Sequence, residues 1–390
     1  MKKLLRTLLC FVLVLTLPVM YMGCLADSAK DYSGYVKYVS LGDSIADGIG
    51  LPANPLRGPD QSDKSLVYCN KTPGAYPVLV AEALGIADEN FSQLACAGMR
   101  TVELRACLDP NYVIPDQYAN NFEGDELTKY CTSRFDYRAL IADADIVSMN
   151  MCANDVASLA LFYIRNAMAA NGVSEEELDS ISGEAEEDCL FFEAIAKLLE
   201  YAQTAEYYAA VVDAAIQGLS VGYTRWTENW DAICGIIYQL NPDVTLVCVG
   251  MFNPFNEVKL TQKSLLTFGA ALDGIVEAIN AWSKAGSAYA DKYIYVDIMG
   301  IESMFGENGK ALTDDGFLDN MELNVHPSVL GQQQICAKVM QAVPEKNAVT
   351  GTPAAQQTTA DKVSAVVKSA VGSVSRTVTR CISTIVGWRK

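Results

Sequence analysis

Five short apolar runs punctuate the chain: Val36 to Leu41, Phe91 to Ala95, Asp145 to Met151, Val244 to Met251 and Tyr293 to Ile298. Each is nearly continuous in apolar residues rather than alternating. That is the pattern of a strand buried on both faces, so each is predicted to be a strand of a parallel sheet. Between them the hydrophobic period changes to three and four. Ala75 to Leu84, Leu272 to Trp282 and Gly331 to Val343 read as helices. Trp226, Trp230, Ile233, Ile237 and Leu240 share one helix face, which stops at Asn241-Pro242 because helical backbone is disfavoured before a proline. Strands alternating with helices predict an α/β fold whose parallel sheet is covered on both faces, with the chemistry beyond the carboxyl ends of the strands.

After the third strand, from about Val156 to Ser220, the pattern is almost wholly helical. Ser174 and Glu177 fit a capping box, and Phe191, Ile195, Leu198, Ala202, Ala205, Ala209, Val212 and Ile216 recur every three or four residues. This insertion is expected to pack on the body as a helical hairpin, or to cover the active edge as a lid. Past Val343, residues 347 to 360 have the composition of a linker, rich in Thr, Ala, Gln and Pro. Residues 361 to 390 place valines and isoleucines on one helical side, with Lys368, Arg376, Arg380, Arg389 and Lys390 elsewhere. A cationic amphipathic helix of this kind suits an anionic membrane surface, or a helix docked on an acidic body. At the other end, Lys2, Lys3 and Arg6 precede an apolar run from Leu8 to Val19 and small residues near Ala26. Residues 1 to 26 thus read as an export signal, with lipidation at Cys24 as an alternative to plain cleavage.

Charge and composition narrow the function. With 51% apolar and 19% charged residues the chain is expected to be globular. Its 29 basic and 47 acidic residues give a net charge of −18, and the basic ends leave the middle more acidic still. Such a body repels phosphate backbones, so nucleic acid is not expected as a partner. There is one histidine, and the 12 cysteines include no Cys-x-x-Cys pair, so neither spacing announces a metal centre. In an exported protein Cys69, Cys107 and Cys131, set in loop-like sequence, are free to pair, whereas Cys152, Cys248 and Cys336 lie on apolar stretches and read as buried thiols. Connectivity is not legible.

The first strand runs into Gly42-Asp43-Ser44-Ile45-Ala46-Asp47-Gly48. A serine at this turn projects its hydroxyl at the open edge, although Gly-Asp-Ser is equally an ordinary capping turn. The sole histidine, in Asn324-Val325-His326-Pro327-Ser328, precedes the last helix and is the chain's one imidazole base for such a serine. Acyl transfer also needs donors aimed at an oxyanion. The second strand is followed by Ala95-Cys96-Ala97-Gly98-Met99-Arg100-Thr101, where Gly98 lets a backbone amide approach a ligand. The third is followed by Cys152-Ala153-Asn154-Asp155, which offers the Asn154 carboxamide.

In this order Ser44, Gly98, Asn154 and His326 resemble the blocks of the SGNH hydrolase superfamily, which includes the GDSL esterases and lipases, over roughly residues 35 to 343. The resemblance implies a three-layer α/β/α sandwich around a flavodoxin-like five-stranded parallel sheet. It implies Ser44 as nucleophile, His326 as general base, and an oxyanion hole from the Ser44 and Gly98 amides with Asn154; no cofactor is implied. Met251-Phe252-Asn253-Pro254-Phe255 is also similar to a segment of bacterial members that borders the pocket. Two positions depart from the family pattern. Cys152 stands where the third block usually begins with glycine, and Leu323 stands where an aspartate usually orients the histidine. Glu322 is the first substitute, with Asn324, Asp319 or a backbone carbonyl as alternatives. The expected activity is that of an exported serine esterase acting on lipid or acylated-carbohydrate esters, with possible membrane contact through 361 to 390. A non-catalytic surface-binding protein on the same fold is the alternative.

Overall fold

The computed structural model describes residues 30–54, 69–115, 124–182, 198, 201–202, 205–254, 263–303 and 326–346, with the side chains of 124–126 and 263–272 left aside. The export signal, the linker and the cationic segment assigned to 1–26, 347–360 and 361–390 lie outside the described residues.

The elements follow in the order β1 (Tyr38–Gly42), α1 (Ser44–Asp47), α2 (Tyr76–Leu84), β2 (Phe91–Gln93), α3 (Thr101–Leu108), α4 (Gly124–Arg134), α5 (Tyr137–Ala142), β3 (Ile146–Asn150), α6 (Ala153–Ala170), α7 (Glu175–Ser182), α8 (Tyr208–Leu240), β4 (Thr245–Val249), α9 (Lys263–Ala285), β5 (Ile294–Val296) and α10 (Val329–Ala342). The strands form one parallel sheet in the order β2-β1-β3-β4-β5. The path winds outward to β2 on one side of β1 and to β3, β4 and β5 on the other. A topological switch point therefore opens between the carboxyl ends of β1 and β3, where doubly wound sheets bind their ligands.

The period of two along each strand builds two cores. Val39, Leu41, Val147, Met149, Leu246 and Cys248 face Leu104, Tyr137, Trp226, Trp230 and Trp282. Tyr38, Phe91, Ile146, Val247, Val249 and Val296 face Tyr76 and Val80 of α2 and Ile335 and Val339 of α10. Helices thus cover both faces, which makes three layers. Trp226 lies edge-on to both Trp230 and Trp282, with ring centroids 5.5 and 4.9 Å away, an arrangement aromatic quadrupoles favour.

The helical region after β3 begins at Ala153, and its last part runs unbroken through Ser220 into the Trp226 face as one 33-residue helix, α8, against which α6 packs; Phe191 and Ile195 of the inserted stripe lie outside the described residues. Gly218 and Gly222 explain how α6 lies so close to it. A Cβ on Gly218 would stand 2.5 Å from the Leu159 carbonyl, and one on Gly222 would stand 2.7 Å from Val156 Cα. Ser174 caps α7, accepting from the Glu177 amide at 3.2 Å.

Candidate active site

Gly42 ends β1 directly beside Asn150 of β3. Any Cβ at Gly42 would stand 2.9 Å from the Asn150 carbonyl and 2.8 Å from Ala46 Cβ, so only glycine lets the chain turn here. Asp43 then caps α1, its Oδ1 accepting from the Ile45 amide at 3.0 Å, while its own amide donates to the Asn150 carbonyl. Ser44, buried, is the first residue of α1 at the switch point.

The segment after β2 joins the same edge, because the Cys96 amide donates to the Gly42 carbonyl at 3.1 Å. Gly98 adopts φ 76°, a left-handed conformation that disfavours side chains, is exposed, and has open space where a Cβ would lie. Two contacts fasten this segment to the start of α6. Asn154 Nδ2 donates to the Met99 carbonyl at 3.2 Å. The Asp155 carboxylate accepts from the Thr101 amide at 3.1 Å and from the Thr101 hydroxyl. Arg100 and Glu103 form an enclosed ion pair alongside. Trp226 Nε1 donates to the Met151 carbonyl at 3.0 Å, tying α8 to the residue before Cys152. Cys152 itself is buried, just ahead of α6.

His326 is buried just ahead of α10. Pro327 bridges to Ser303, and the Ser328 amide donates to the Glu302 carbonyl at 3.1 Å. Ser328 caps α10 through the Gly331 amide and donates its hydroxyl to Glu302. Gln332, fully enclosed, donates to the Ile45 carbonyl at 3.0 Å and accepts from the Tyr76 amide at 2.9 Å. The helix that follows His326 is thereby bonded to the residue after Ser44. Glu322, Asn324, Asp319 and Leu323 lie outside the described residues. Phe255 does too, but Met251 to Pro254 follow β4 at this edge, where Met251 and Asn280 exchange two hydrogen bonds of 2.7 and 2.8 Å.

Three of the buried carboxyls bordering the site are shifted upward. Burial raises Asp43 and Asp155 to about 7, with hydrogen bonds from Ile45 and Thr101 opposing the rise. Asp47 is pushed well above the usual carboxylate range by burial, against the pull of the Asn70 and Ala97 amides and with the Asp43 charge adding to it. Asp155, Gln332 and the Trp226 indole are structural partners that the sequence reading did not single out.

The GDSL-like Lipase/Acylhydrolase family matches residues 40–334. Among solved structures, the chain is similar to an extracellular lipase from Streptomyces rimosus, with 18% identity, TM-score 0.43, and coverage of 79% of this chain and 100% of that one. It is also similar to phospholipase A1 from Streptomyces albidoflavus NA297, with 16% identity, TM-score 0.41, and coverage of 79% and 100%. A carbohydrate esterase described as having divergent catalytic and non-catalytic binding functions matches with 11% identity, TM-score 0.35, and coverage of 80% and 68%. Among curated proteins none matches.

Proposed function

The chain belongs to the GDSL-like lipase/acylhydrolase family, and from that premise we propose that it is an exported serine esterase that cleaves O-acyl esters through an acyl-Ser44 intermediate. The Ser44 hydroxyl attacks the ester carbonyl while His326 takes its proton and returns it to the leaving alcohol. The Ser44 and Gly98 amides and the Asn154 carboxamide receive the developing oxyanion. Water, activated by His326, then releases the acid.

The observation that supports this reading is the seam between β1 and β3, where Gly42, two residues before Ser44, lies beside Asn150, and Asn154 is bonded to Met99, the neighbour of Gly98. The bond from Gln332 to Ile45 supports His326 as the base at that edge. Glu322 is carried forward as the group that orients the imidazole, with a backbone carbonyl as its substitute. Substrates are proposed to be lipid or acylated-carbohydrate esters, with residues 361–390 resting on a membrane surface and residues 1–26 directing export. Among the described residues no helix is long and apolar enough to cross a membrane.

A fluorophosphonate probe tests the chemistry, because only an activated serine reacts with it. The protein is expected to label at Ser44 and to hydrolyse nitrophenyl acetate, and Ser44→Ala to lose both while keeping its melting temperature. Turnover retained in pure, folded Ser44→Ala removes the assignment, and an unlabelled native protein turns the reading toward a binding role.

A further inference from the structure

Beside the oxyanion segment lies a group of thiols that the proposed reaction does not use. The sulfurs of Cys69, Cys96 and Cys131 all lie within 4.8 Å of one another, and Cys96 and Cys131 are fully enclosed. Cys69 Sγ is 2.8 Å from Cys96 Sγ, and Cys96 Sγ is 3.4 Å from Cys131 Sγ. Cys131 lies on α4; Cys107, outside this group of three, sits in the helix α3 rather than in a loop.

We propose that this group is a cross-linking site that forms one cystine, Cys69–Cys96, which fastens the start of the oxyanion segment. The separation of Cys69 and Cys96 is well inside the roughly 3.5–4 Å of ordinary non-bonded contact. A cystine carries no charge, so it avoids gathering thiolates beside the buried Asp47 carboxyl, which interacts with Cys69 and Cys131. Of the two thiols beside Cys96, Cys69 is the nearer, at 2.8 Å against 3.4 Å for Cys131, which selects the pair.

The cross-link breaks two S–H bonds and makes one S–S bond. The two protons go to solvent and the two electrons to a disulfide oxidant, such as oxidised glutathione, which leaves as thiols. The placement has a consequence for the site. Cys96 accepts from the Met99 amide at the base of the Gly98 turn, and Thr101 beyond it is held by Asp155. A link at Cys96 limits how far the Gly98 amide can swing.

The test takes the full chain, equilibrated with oxidised and reduced glutathione, and denatures it in iodoacetamide without reductant before peptide mass mapping. Linked peptides containing Cys69 with Cys96 are expected, with Cys107, Cys131, Cys152, Cys234, Cys248 and Cys336 alkylated. Alkylation of both Cys69 and Cys96 overturns the proposal, and stoichiometric zinc in that protein would assign the cluster to a metal instead. A Cys96–Cys131 link overturns the pairing. Reduction is expected to lower the melting temperature by roughly 5 °C or more, and a melting temperature unmoved by reductant contradicts it. Cys131→Ser is expected to keep the Cys69–Cys96 link, and loss of the link in that variant overturns the pairing.

Discussion

The Asn154 amide nitrogen carries two hydrogens, and the Met99 carbonyl takes one of them. One hydrogen therefore holds the segment that bears Gly98, and the other is the donor that the proposed mechanism assigns to the oxyanion. Asn154→Ala removes both contributions and is expected to lower kcat by about 10²–10³-fold, with a smaller change in KM, because the lost interaction strengthens as the oxyanion forms. Steady-state kinetics on nitrophenyl acetate checks this, and a kcat within about twofold of the parent would take Asn154 out of the oxyanion hole. What was legible at this edge were local demands of the backbone: a glycine that admits the turn at Gly42 and a glycine with positive φ at Gly98. Asp155 and Gln332 were not, because what they do depends on partners 54 and 287 residues away. No local pattern distinguishes an aspartate that clamps a distant threonine from one that faces water.

At the scale of elements, α6 and α8 decide how firmly Asn154 and Asp155 are held, since both belong to the first turn of α6. Gly222 packs against that turn, and a Cβ there would stand 2.7 Å from Val156 Cα and 2.8 Å from the Asp155 carbonyl. Two effects of Gly222→Ala compete. Helix propensity favours alanine by about 1 kcal/mol, whereas forcing a methyl group into a closed backbone contact costs about 1–3 kcal/mol. Both nearby atoms are backbone and cannot swing aside as a side chain would, so the clash is expected to win. Gly222→Ala should lower the melting temperature and also reduce kcat by displacing Asn154; a more stable variant with parental turnover would show that the helices part freely. The five strands were readable to within a few residues, because burial on both faces writes continuous apolar runs. The short helices α3, α4 and α5 were not. α4, Gly-Asp-Glu-Leu-Thr-Lys-Tyr-Cys-Thr-Ser-Arg, is largely polar, and Leu127 and Cys131 reach the core from it without a periodic stripe long enough to announce a helix.

For the molecule as a whole, the enclosed carboxyls at the active edge set the response to pH. Asp43 and Asp155 rise to about 7 from an ordinary 3.8, and Asp47 rises further, so the folded protein holds protons that the unfolded chain has released. Stability from these groups is complete below about pH 4 and is lost as pH climbs through about 7. Asp145 has the opposite sense. Burial raises it, but the Lys346 ammonium and the Val36 and Lys37 amides outweigh that and leave it low, so its contribution fails only under stronger acid. Between pH 5 and 8 the melting temperature is therefore expected to fall. Repulsion within a chain of net charge −18 acts in the same direction, but salt screens surface charge far more than a buried carboxyl. The decline should accordingly persist at 0.5 M salt. Asp43→Asn separates the causes, since asparagine keeps the cap on Ile45 and removes one titration. In high salt the variant should show a shallower decline than the parent, and identical slopes would mean that Asp43 does not hold its proton in the fold.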